Sequence, residues 1–413
     1  MRRTFYLLAT LFIALQATAQ PLPRVTPEQV GMDTQRLKYA DLAIQKAVDN
    51  KEIPGAVLAV VKDGKMAYLK AYGNKQVYPK VMAMDTNTVF DMASVSKSMS
   101  TAICAMMLIE RGQLRLQDKV SLYVPGFKPW QDSDGKKTDI RVADLMTHTS
   151  GLPPYAPVDS LKKKYGAPNP DGVIEYISNC KRDFAPRTDF QYSCLNYITL
   201  QRIIETISGQ TLQQFAKENL FDVLGMKHTD YCPTGETLAR CAPTEKQADG
   251  SVLKGMVHDP LARIMNGGIS GNAGVFSSAD DVAILAAALL NDGEYNGHRI
   301  LSPAAVKTMR TVPRYVAGLG RTPGWDVFSP YASNNGDLFG PNTYGHTGYT
   351  GTSLILDPDS HTAVILLTNR VHPSDKGEVV RLRSVVANAV AGAIIIALLQ
   401  TQAPHSHSRL GRR

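Results

Sequence analysis

The chain has 413 residues, enough for one large domain or two, and its 44% hydrophobic and 20% charged residues are ordinary for a globular protein. The net charge of +8 falls to +3 over residues 20–400, because Arg2, Arg3 and three arginines of the last five residues account for the difference. No Lys/Arg cluster is interleaved with aromatic residues, so the charge pattern indicates no nucleic-acid partner.

The first nineteen residues predict a secretory signal peptide. Arg2 and Arg3 precede an apolar run over 5–15, and Ala17-Thr18-Ala19 supplies small residues at the expected cleavage site. The run is too short to span a bilayer comfortably. We therefore expect residues 1–19 to be removed and the mature protein to be periplasmic or extracellular.

The residues that follow predict a helix and then a hairpin. Apolar residues at helical spacing favour a helix over 34–49. A buried strand over 53–61, a turn at 62–65 and a return strand over 66–72 predict the hairpin. Beyond residue 94 the pattern changes to helices separated by Pro/Gly-rich loops.

Strand signals return near the C-terminus. Runs over 352–356 and 362–368 flank a turn and predict a second hairpin, and 379–399 predicts a long apolar helix. We expect that helix to pack on a sheet rather than to contact a membrane, because a bilayer span needs about 20 apolar residues. The last residues, 400–413, predict a disordered tail.

This order of elements predicts an α+β fold of the α/β sandwich type. An antiparallel sheet built from both chain ends, 20–93 and 276–399, would be flanked by helices, with a mainly helical region, 94–275, inserted between its halves. A ligand cleft is expected at the junction of the two regions. Nothing in the sequence indicates the oligomeric state.

The five cysteines indicate neither a redox motif nor a metal centre. They form no C-x-x-C pair, and the chain has no H-E-x-x-H motif or Cys/His cluster, so no metal or other cofactor is expected. Cys104 fits a small buried hydrophobic residue. Cys232 and Cys241 are the one closely spaced pair that a disulfide could join, although an unbridged pair is the simpler interpretation.

Ser94 and Lys97 form the motif S-x-x-K where a helix is expected to begin. Residues three apart are neighbours on a helix, so the Lys97 amine can reach the Ser94 hydroxyl. A serine needs such an adjacent base, and a lysine serves as one only if its pKa is lowered. By itself the motif is common, and a helix cap beside a solvated lysine would explain it equally well.

Three further motifs accompany it. They are Tyr192-Ser193-Cys194 before an apolar helix, His346-Thr347-Gly348-Tyr349 before a strand, and Thr147-His148-Thr149-Ser150-Gly151. In this order and spacing the chain resembles the serine β-lactamase and penicillin-binding protein family, in its class C-like, DD-carboxypeptidase and esterase branch. The resemblance covers nearly all of residues 30–395.

The resemblance implies roles for these residues. Ser94 would be the acyl-accepting nucleophile, Lys97 its base or a cation that sets nearby pKa values, and Tyr192 a second general acid/base. Thr347 and Gly348 would line the substrate site, with Gly348 letting a substrate backbone approach closely. The Tyr349 N–H, with that of Ser94, would form the oxyanion hole.

Two positions depart from the family pattern. His346 stands where β-lactamases have lysine, and if protonated it would supply that charge in a pH-dependent way near its ordinary pKa of about 6.5. Cys194 stands where the family usually has an asparagine that binds a substrate amide, and a thiol is a poor replacement. Asn196 lies two residues further on.

Two other histidines have less evident roles. His148 lies in a segment that turns and caps a helix, so we expect it to be structural. His258 could line the cleft, and the glycine-rich stretch 267–274 must form a closely turning loop.

The sequence therefore predicts a secreted serine hydrolase that forms an acyl-enzyme without a cofactor. Its substrates would be D-amino-acid-containing peptides, as for a DD-carboxypeptidase, or small esters. A class C-like β-lactamase is the alternative enzyme. A non-hydrolytic protein that binds penicillin or peptidoglycan is the alternative from another class.

Overall fold

The structure is a computed structural model that describes residues 20–329 and 335–395, so the predicted signal peptide and tail lie outside the described residues. The strands are β1 (Gly55–Lys62), β2 (Lys65–Gln76), β3 (Met82–Ala83), β4 (Val89–Asp91), β5 (Trp130–Gln131), β6 (Lys137–Thr138), β7 (Asp230–Tyr231), β8 (Val275–Ser278), β9 (Glu294–Tyr295), β10 (His298–Arg299), β11 (Tyr344–Thr347), β12 (Ser353–Asp357) and β13 (Thr362–Thr368).

The helices include a long N-terminal one and a long C-terminal one. They are α1 (Thr34–Asp49), α2 (Ile103–Glu110), α3 (Val142–Met146), α4 (Val158–Tyr165), α5 (Pro170–Asn179), α6 (Cys194–Ser208), α7 (Leu212–Ala216), α8 (Asp222–Leu224), α9 (Gly235–Arg240), α10 (Ala279–Leu290), α11 (Pro303–Met309) and α12 (Val380–Gly392). Segments Lys97–Ala102, Lys217–Phe221 and Leu261–Met265 are π-helical, and Pro27–Val30, Val120–Leu122 and Arg314–Leu319 are 3₁₀-helical.

The main sheet joins the two ends of the chain, as predicted. Its six strands lie in the order β11-β12-β13-β1-β2-β3, and every neighbouring pair is antiparallel. Ala59 at the centre of β1 lies opposite Ile365 on one side and Leu69 on the other. The α+β fold expected from the sequence is confirmed.

Strand β1 is buried on both faces, which explains its uninterrupted apolar sequence. Its alternate residues point to opposite sides of the sheet. Leu58 and Val60 join a core with Leu37 of α1 and Val386 of α12. Val57, Ala59 and Val61 join a second core shared with α2 and α10. The result is a layer of two terminal helices, then the sheet, then α10 with the mainly helical region.

The C-terminal helix is shorter than predicted. It ends at Gly392, after which Ile394 forms an antiparallel bridge with Met32 and the Ile395 N–H donates to the carbonyl of Gly31. The expected extension as far as residue 395 is therefore wrong, and 396–399 lies outside the described residues. Within the described ranges, no helix is long and apolar enough to cross a bilayer.

A small second sheet, not predicted from the sequence, supports the Ser94 segment. It has the strand order β4-β8-β7, with Phe90 opposite Ser277. Residues 94–275, expected to be mainly helical, contain α2 to α9 together with the short strands β5, β6 and β7. All five cysteines are free thiols, so Cys232 and Cys241 are not bridged, and Cys104 is fully buried.

Candidate active site

A strained turn presents Ser94 directly after strand β4. Ala93 has a φ of 46°, in the left-handed region that costs a non-glycine residue about 1–3 kcal/mol. The buried Asp91 carboxylate holds this turn, since one oxygen accepts from the Ala93 N–H at 2.8 Å and the other accepts from the His258 N–H at 2.7 Å. Ser94 thus lies at the cleft while the residues behind it are buried.

Lys97 is fully buried beneath Ser94 and has three acceptors around its amine. Its Nζ atom lies 3.1 Å from the Ser94 Oγ, 2.8 Å from the Asn272 carbonyl oxygen and 3.7 Å from the Cys194 Sγ. An ammonium carries three protons, so each one has a partner. The carbonyl of Asn272 comes from the predicted close-turning loop.

The pKa of Lys97 favours its charged form. Burial alone lowers this pKa, but negative charge on the Cys194 sulfur and the Tyr192 oxygen, with a hydrogen bond to Tyr192, acts against burial, and the pKa lies above its ordinary value. A lysine can serve as a base only if its pKa is lowered. The structure therefore favours the other role left open for Lys97, that of a cation beside Ser94 and Tyr192.

Tyr192 lies in the loop before α6, with its ring among charged and aromatic side chains. The Lys97 Nζ atom is 4.9 Å from the ring centroid. The ring centroids of His148 and His346 are 4.5 Å and 6.1 Å away. Tyr192, the predicted second acid/base, thus lies next to Lys97 and next to both histidines of the other motifs.

His148 positions Tyr192, in agreement with the structural role expected for it. Its buried Nδ1 atom accepts from the Ser193 N–H at 3.2 Å and from the Asn196 side-chain amide at 3.0 Å, so that nitrogen carries no proton. Burial, with the positive charges of Arg321 and Lys97, holds the pKa of His148 well below its ordinary value. A neutral imidazole therefore fixes the segment that carries Tyr192.

His346 reaches the site but is not its source of charge. Its Nδ1 atom lies 2.9 Å from the Thr347 carbonyl oxygen, so Nδ1–H is the donor and the other ring nitrogen is unprotonated in the neutral ring. Burial, together with Arg321 and Lys97, holds the pKa of His346 well below 6.5. The expectation of a titration near 6.5 is therefore wrong.

Arg321, which the sequence motifs did not reveal, supplies a permanent cation here. The side chain is almost fully buried, lines the cleft and pairs with Asp326 at 3.3 Å. Its guanidinium carbon lies 5.5 Å from the Tyr192 ring centroid. A positive charge thus lies near Tyr192, but it comes from another segment of the chain than position 346 and is paired with Asp326.

Gly348 is required by the packing of the protein itself. A Cβ atom at this position would lie 2.5 Å from the Met92 carbonyl oxygen and would collide with the Thr352 hydroxyl. Hydrogen bonds from Thr350 to the Asp91 carbonyl, at 2.7 Å, and from Thr352 to the Met92 carbonyl, at 3.0 Å, fasten the same turn to the Ser94 segment. Gly348 also lines the cleft, and its role in letting a substrate backbone approach stays a prediction.

Tyr349 forms one rim of the cleft and is held rigidly although it is 57% exposed. Its hydroxyl donates to Asp375, and the Arg370 guanidinium carbon lies 4.5 Å from its ring centroid. The His258 ring is stacked on it, 5.8 Å away, and pairs with Glu245 at 3.0 Å. His258 therefore supports the rim through Tyr349.

Cys194 and Asn196 have different surroundings. Cys194 is the first residue of α6 and lies behind the cleft, next to Lys97, with a pKa raised by burial. Asn196 is fully buried and is held by His148 and by the Ser150 hydroxyl, which donates to its oxygen at 2.5 Å. Asn196 therefore does not replace the missing amide in the cleft.

The cleft has a volume of about 480 Å³ and collects most of the predicted site residues. Those that line it are Ser94, Tyr192, His346, Thr347, Gly348 and Tyr349. Arg383 of α12 also lines the cleft and is buried. The sequence analysis did not single it out, although an arginine at a buried position of an apolar helix is unusual and could have drawn attention to it. In the described part of the chain, no group of three or more His, Cys, Asp or Glu side chains is arranged to hold a metal.

A sequence profile of the family described as beta-lactamase matches residues 40–388. The chain belongs to the beta-lactamase family. This beta-lactamase-family protein is 31% identical over 401 residues to a putative D-alanyl-D-alanine carboxypeptidase of Escherichia coli (strain K12), covering 90% of this chain and 92% of the relative. It is 34% identical over 382 residues to an N-acetylmuramyl-L-alanine amidase of Bacillus subtilis (strain 168), covering 84% of each.

A solved structure of similar fold adds a third relative. It is EstCE1, described as a hydrolase with promiscuous acyltransferase activity, with a TM-score of 0.69 and 25% identity, over 87% of this chain and 99% of that one. The beta-lactamase-family protein is thus a serine hydrolase whose relatives include putative carboxypeptidases and a hydrolase with promiscuous acyltransferase activity.

Proposed function

We propose that this protein is a secreted DD-carboxypeptidase-like enzyme that forms an acyl-enzyme at Ser94. Its substrates would be peptides that end in a D-amino acid with a free carboxylate. The unpaired cation of Arg383 in the cleft carries the proposal. The predicted signal peptide, residues 1–19, and the carboxypeptidase named among the relatives support it.

Arg383 differs from the other two arginines that line the cleft. Arg321 pairs with Asp326 at 3.3 Å and Arg370 pairs with Asp375 at 2.6 Å. Arg383 is 6% exposed and donates to two backbone carbonyls, and its Nε atom has no hydrogen-bond partner among the described residues.

Arg383 forms no ion pair among the described residues, although the charge of Glu378, which also lines the cleft, acts on it. A buried cation without a paired carboxylate is unfavourable, and a substrate carboxylate would compensate it. Burial, with the charge of Arg370, lowers the pKa of Arg383 to about 9, so the side chain is still mostly charged near neutral pH. The cleft is therefore best suited to an anionic substrate group.

The side chains around Ser94 support the following chemistry. The Ser94 oxygen attacks the penultimate carbonyl, and its proton passes through the Tyr192 oxygen to the leaving amine as the C–N bond breaks. Lys97 and Arg321 stabilise the negative charge that develops on Tyr192 during this transfer. Water then attacks the ester and a proton returns to Ser94, which releases the shortened peptide.

The test compares an N-acetylated peptide ending in D-Ala-D-Ala with the same peptide as its C-terminal carboxamide. We expect kcat/KM to favour the free acid, and Arg383→Gln to lower the acid-to-amide ratio by about tenfold or more, the effect of one hydrogen bond to a charged group. Arg383→Lys should retain part of the preference. Equal rates for acid and amide in the wild type would contradict the proposal.

Ester hydrolysis is the second candidate, because Cys194 cannot supply the amide contact that helps hold a peptide substrate. Hydrolysis of p-nitrophenyl acetate without release of D-alanine would favour it. Turnover of nitrocefin would indicate a β-lactamase, and a stable penicillin adduct without any turnover would indicate a binding protein. Secretion is checked by N-terminal sequencing of the exported protein, which we expect to begin at Gln20.

A further inference from the structure

A second cavity lies between helix α9 and the π-helical segment Leu261–Met265, and we call it the α9 groove. Its volume is about 450 Å³, and none of the residues that line it also lines the cleft at Ser94. Sites for small molecules commonly have volumes of about 300–1,000 Å³. The α9 groove is therefore large enough for a small ligand and is separate from the candidate active site.

The walls of the α9 groove are largely apolar. Leu238 of α9 is 37% exposed and Met256 is 51% exposed, although both are large apolar side chains. Pro233, Val257 and Ile264 continue the same lining. Exposed apolar side chains that share one concave surface are typical of a ligand site, and a methionine adapts its shape to what it contacts. The apolar body of a ligand would remove this surface from water.

Two glycines let the walls pack closely, so the α9 groove is formed before any ligand binds. A Cβ atom at Gly255 would lie 2.1 Å from the Leu238 Cδ1 atom. A Cβ atom at Gly268 would lie 2.8 Å from the Cys232 Sγ atom. The Leu238 side chain and the Cys232 sulfur thus rest directly on the backbone of the opposite loops.

The charges that line the α9 groove are both positive. Lys254 and Arg263 line it, and no Asp or Glu does so among the described residues. The Lys254 Nζ atom donates to the Ala239 carbonyl oxygen at 3.2 Å, which uses one of its three protons. Arg263 donates through Nη1 to two backbone carbonyls, one of them that of Val257 at 2.6 Å. Both side chains keep donors that a ligand can use.

Neither cation forms an ion pair within the described ranges, although carboxylates lie near Arg263. The charge of Asp259 acts on Arg263. The Asp259 carboxylate itself accepts from the Ala262 N–H at 2.8 Å and from the Tyr155 hydroxyl at 3.1 Å. Lys254 is exposed, so it is the more accessible of the two cations.

We propose that the α9 groove binds a small amphiphilic anion, which has an alkyl chain and a single carboxylate head, as in a medium-chain fatty acid. The chain would cover Leu238 and Met256. The carboxylate would accept hydrogen bonds from Lys254 and would lie in the positive field of Arg263. A neutral molecule with the same chain should therefore bind less tightly.

The test measures binding of octanoate through protection of Cys232, an exposed thiol that lines the α9 groove. Iodoacetamide alkylates the purified protein at alkaline pH, because desolvation and the charge of Asp230 raise the pKa of Cys232, and mass spectrometry follows each cysteine. Octanoate should protect Cys232 in a saturable manner. Octanol should bind more weakly by about threefold or more at low salt, and less so at high salt. Acetate should give no protection.

Two variants test the head and the chain separately. Lys254→Gln should weaken octanoate binding by about two- to fivefold and leave octanol binding unchanged. Met256→Gln should weaken the binding of both. Lys136→Gln and Leu122→Gln are the matched controls at exposed positions outside the α9 groove, and both should bind like wild type.

Three results would overturn the proposal. They are a lack of saturable protection by octanoate, equal binding of octanol and octanoate, and wild-type octanoate binding by Lys254→Gln. Equal protection of Cys180, which is half-buried and outside the α9 groove, would also overturn it, since octanoate would then act as a general detergent. None of these measurements uses acylation of Ser94, so failure of the proposed function would leave them unchanged.

Discussion

At the scale of single residues, the pair Ser94 and Lys97 has the most direct consequence. Lys97 is buried with its protons directed at three acceptors, so removing it leaves Ser94 without its charged neighbour. We expect Ser94→Ala to abolish acylation by a fluorophosphonate, and Lys97→Ala to slow it by a factor of about 100 to 10,000.

Mass spectrometry of the adduct and circular dichroism of the fold check this prediction. Lys136→Ala, at an exposed position on a different loop, is the matched control and should acylate like wild type. An adduct that still forms on the Ser94→Ala protein would show that another residue is the nucleophile.

His346 leads to a prediction about pH. Because its pKa is held well below 6.5, the ring is neutral at that pH and gains charge only under more acidic conditions. Protonation of His346 should therefore contribute no limb to the kcat/KM profile between about pH 6 and about pH 8. Wild type and His346→Gln should show profiles of the same shape there, even if their absolute rates differ.

Arg321 allows a second test, of how neighbouring charges set the pKa of His346. Removing a neighbouring cation must raise the pKa of His346, because Arg321 is one of the causes of its depression. Arg321→Gln should therefore move the His346 titration upward in an NMR experiment, whereas Arg321→Lys should leave it low. An unchanged titration in Arg321→Gln would mean that burial and the remaining cations, Lys97 and Arg383, hold this pKa low without Arg321.

At the scale of elements, the contact between the end of β11 and the Ser94 turn depends on Gly348, because this residue has no side chain. Gly348→Ala would place a methyl group 2.5 Å from the Met92 carbonyl, so the strand end and the turn must separate. We expect a loss of about 1–3 kcal/mol in the free energy of unfolding, together with slower acylation.

Urea unfolding measures that loss. Gly318→Ala is the control, because a Cβ atom there meets no atom within 4 Å, and it should change stability by less than about 0.5 kcal/mol. If Gly348→Ala keeps wild-type stability and acylation, the strand end is not fixed by this contact.

The elements also show what the sequence could and could not predict. Helix α1 and strand β13 have the bounds 34–49 and 362–368 that were expected, because periodicity and turn residues specify them locally. Helix α12 ends earlier than its apolar run suggests, since residues 394 and 395 instead bond to the segment at 31–32. A partner so distant in sequence leaves no local signal.

The same distinction holds for the candidate site. Ser94, Tyr192 and His346 could be expected to meet because each stands in a motif of the family. Arg321 and Asn272 could not, since they come from loops whose positions only the folded structure determines. These two residues belong to the site because of where the fold places them, and no sequence pattern indicates that position.

At the scale of the whole molecule, the sheet separates a stabilising layer from the catalytic one. Leu37 of α1 is fully buried in the core on the face opposite α10. Leu37→Ala should lower the free energy of unfolding by about 2–5 kcal/mol. The acylation rate of the molecules that remain folded should not change.

The same helix provides the control, because Leu42 is 65% exposed. Leu42→Ala should alter stability by less than about 0.5 kcal/mol in the same unfolding experiment. A similar loss in both variants would mean that the loss does not come from the core contacts of Leu37, because alanine is the better helix former at both positions.

The pairing of β1 with β13 also governs when the protein can become active during its synthesis. Strand β1 leaves the ribosome well before its partner β13 and the His346 strand, which follow all of the mainly helical region in the chain. Contacts so far apart in sequence form slowly, because a long loop must close first. A nascent chain that already contains Ser94 and Lys97 therefore has no completed cleft, and its serine stays unreactive until β11 and β13 have also been made and have paired.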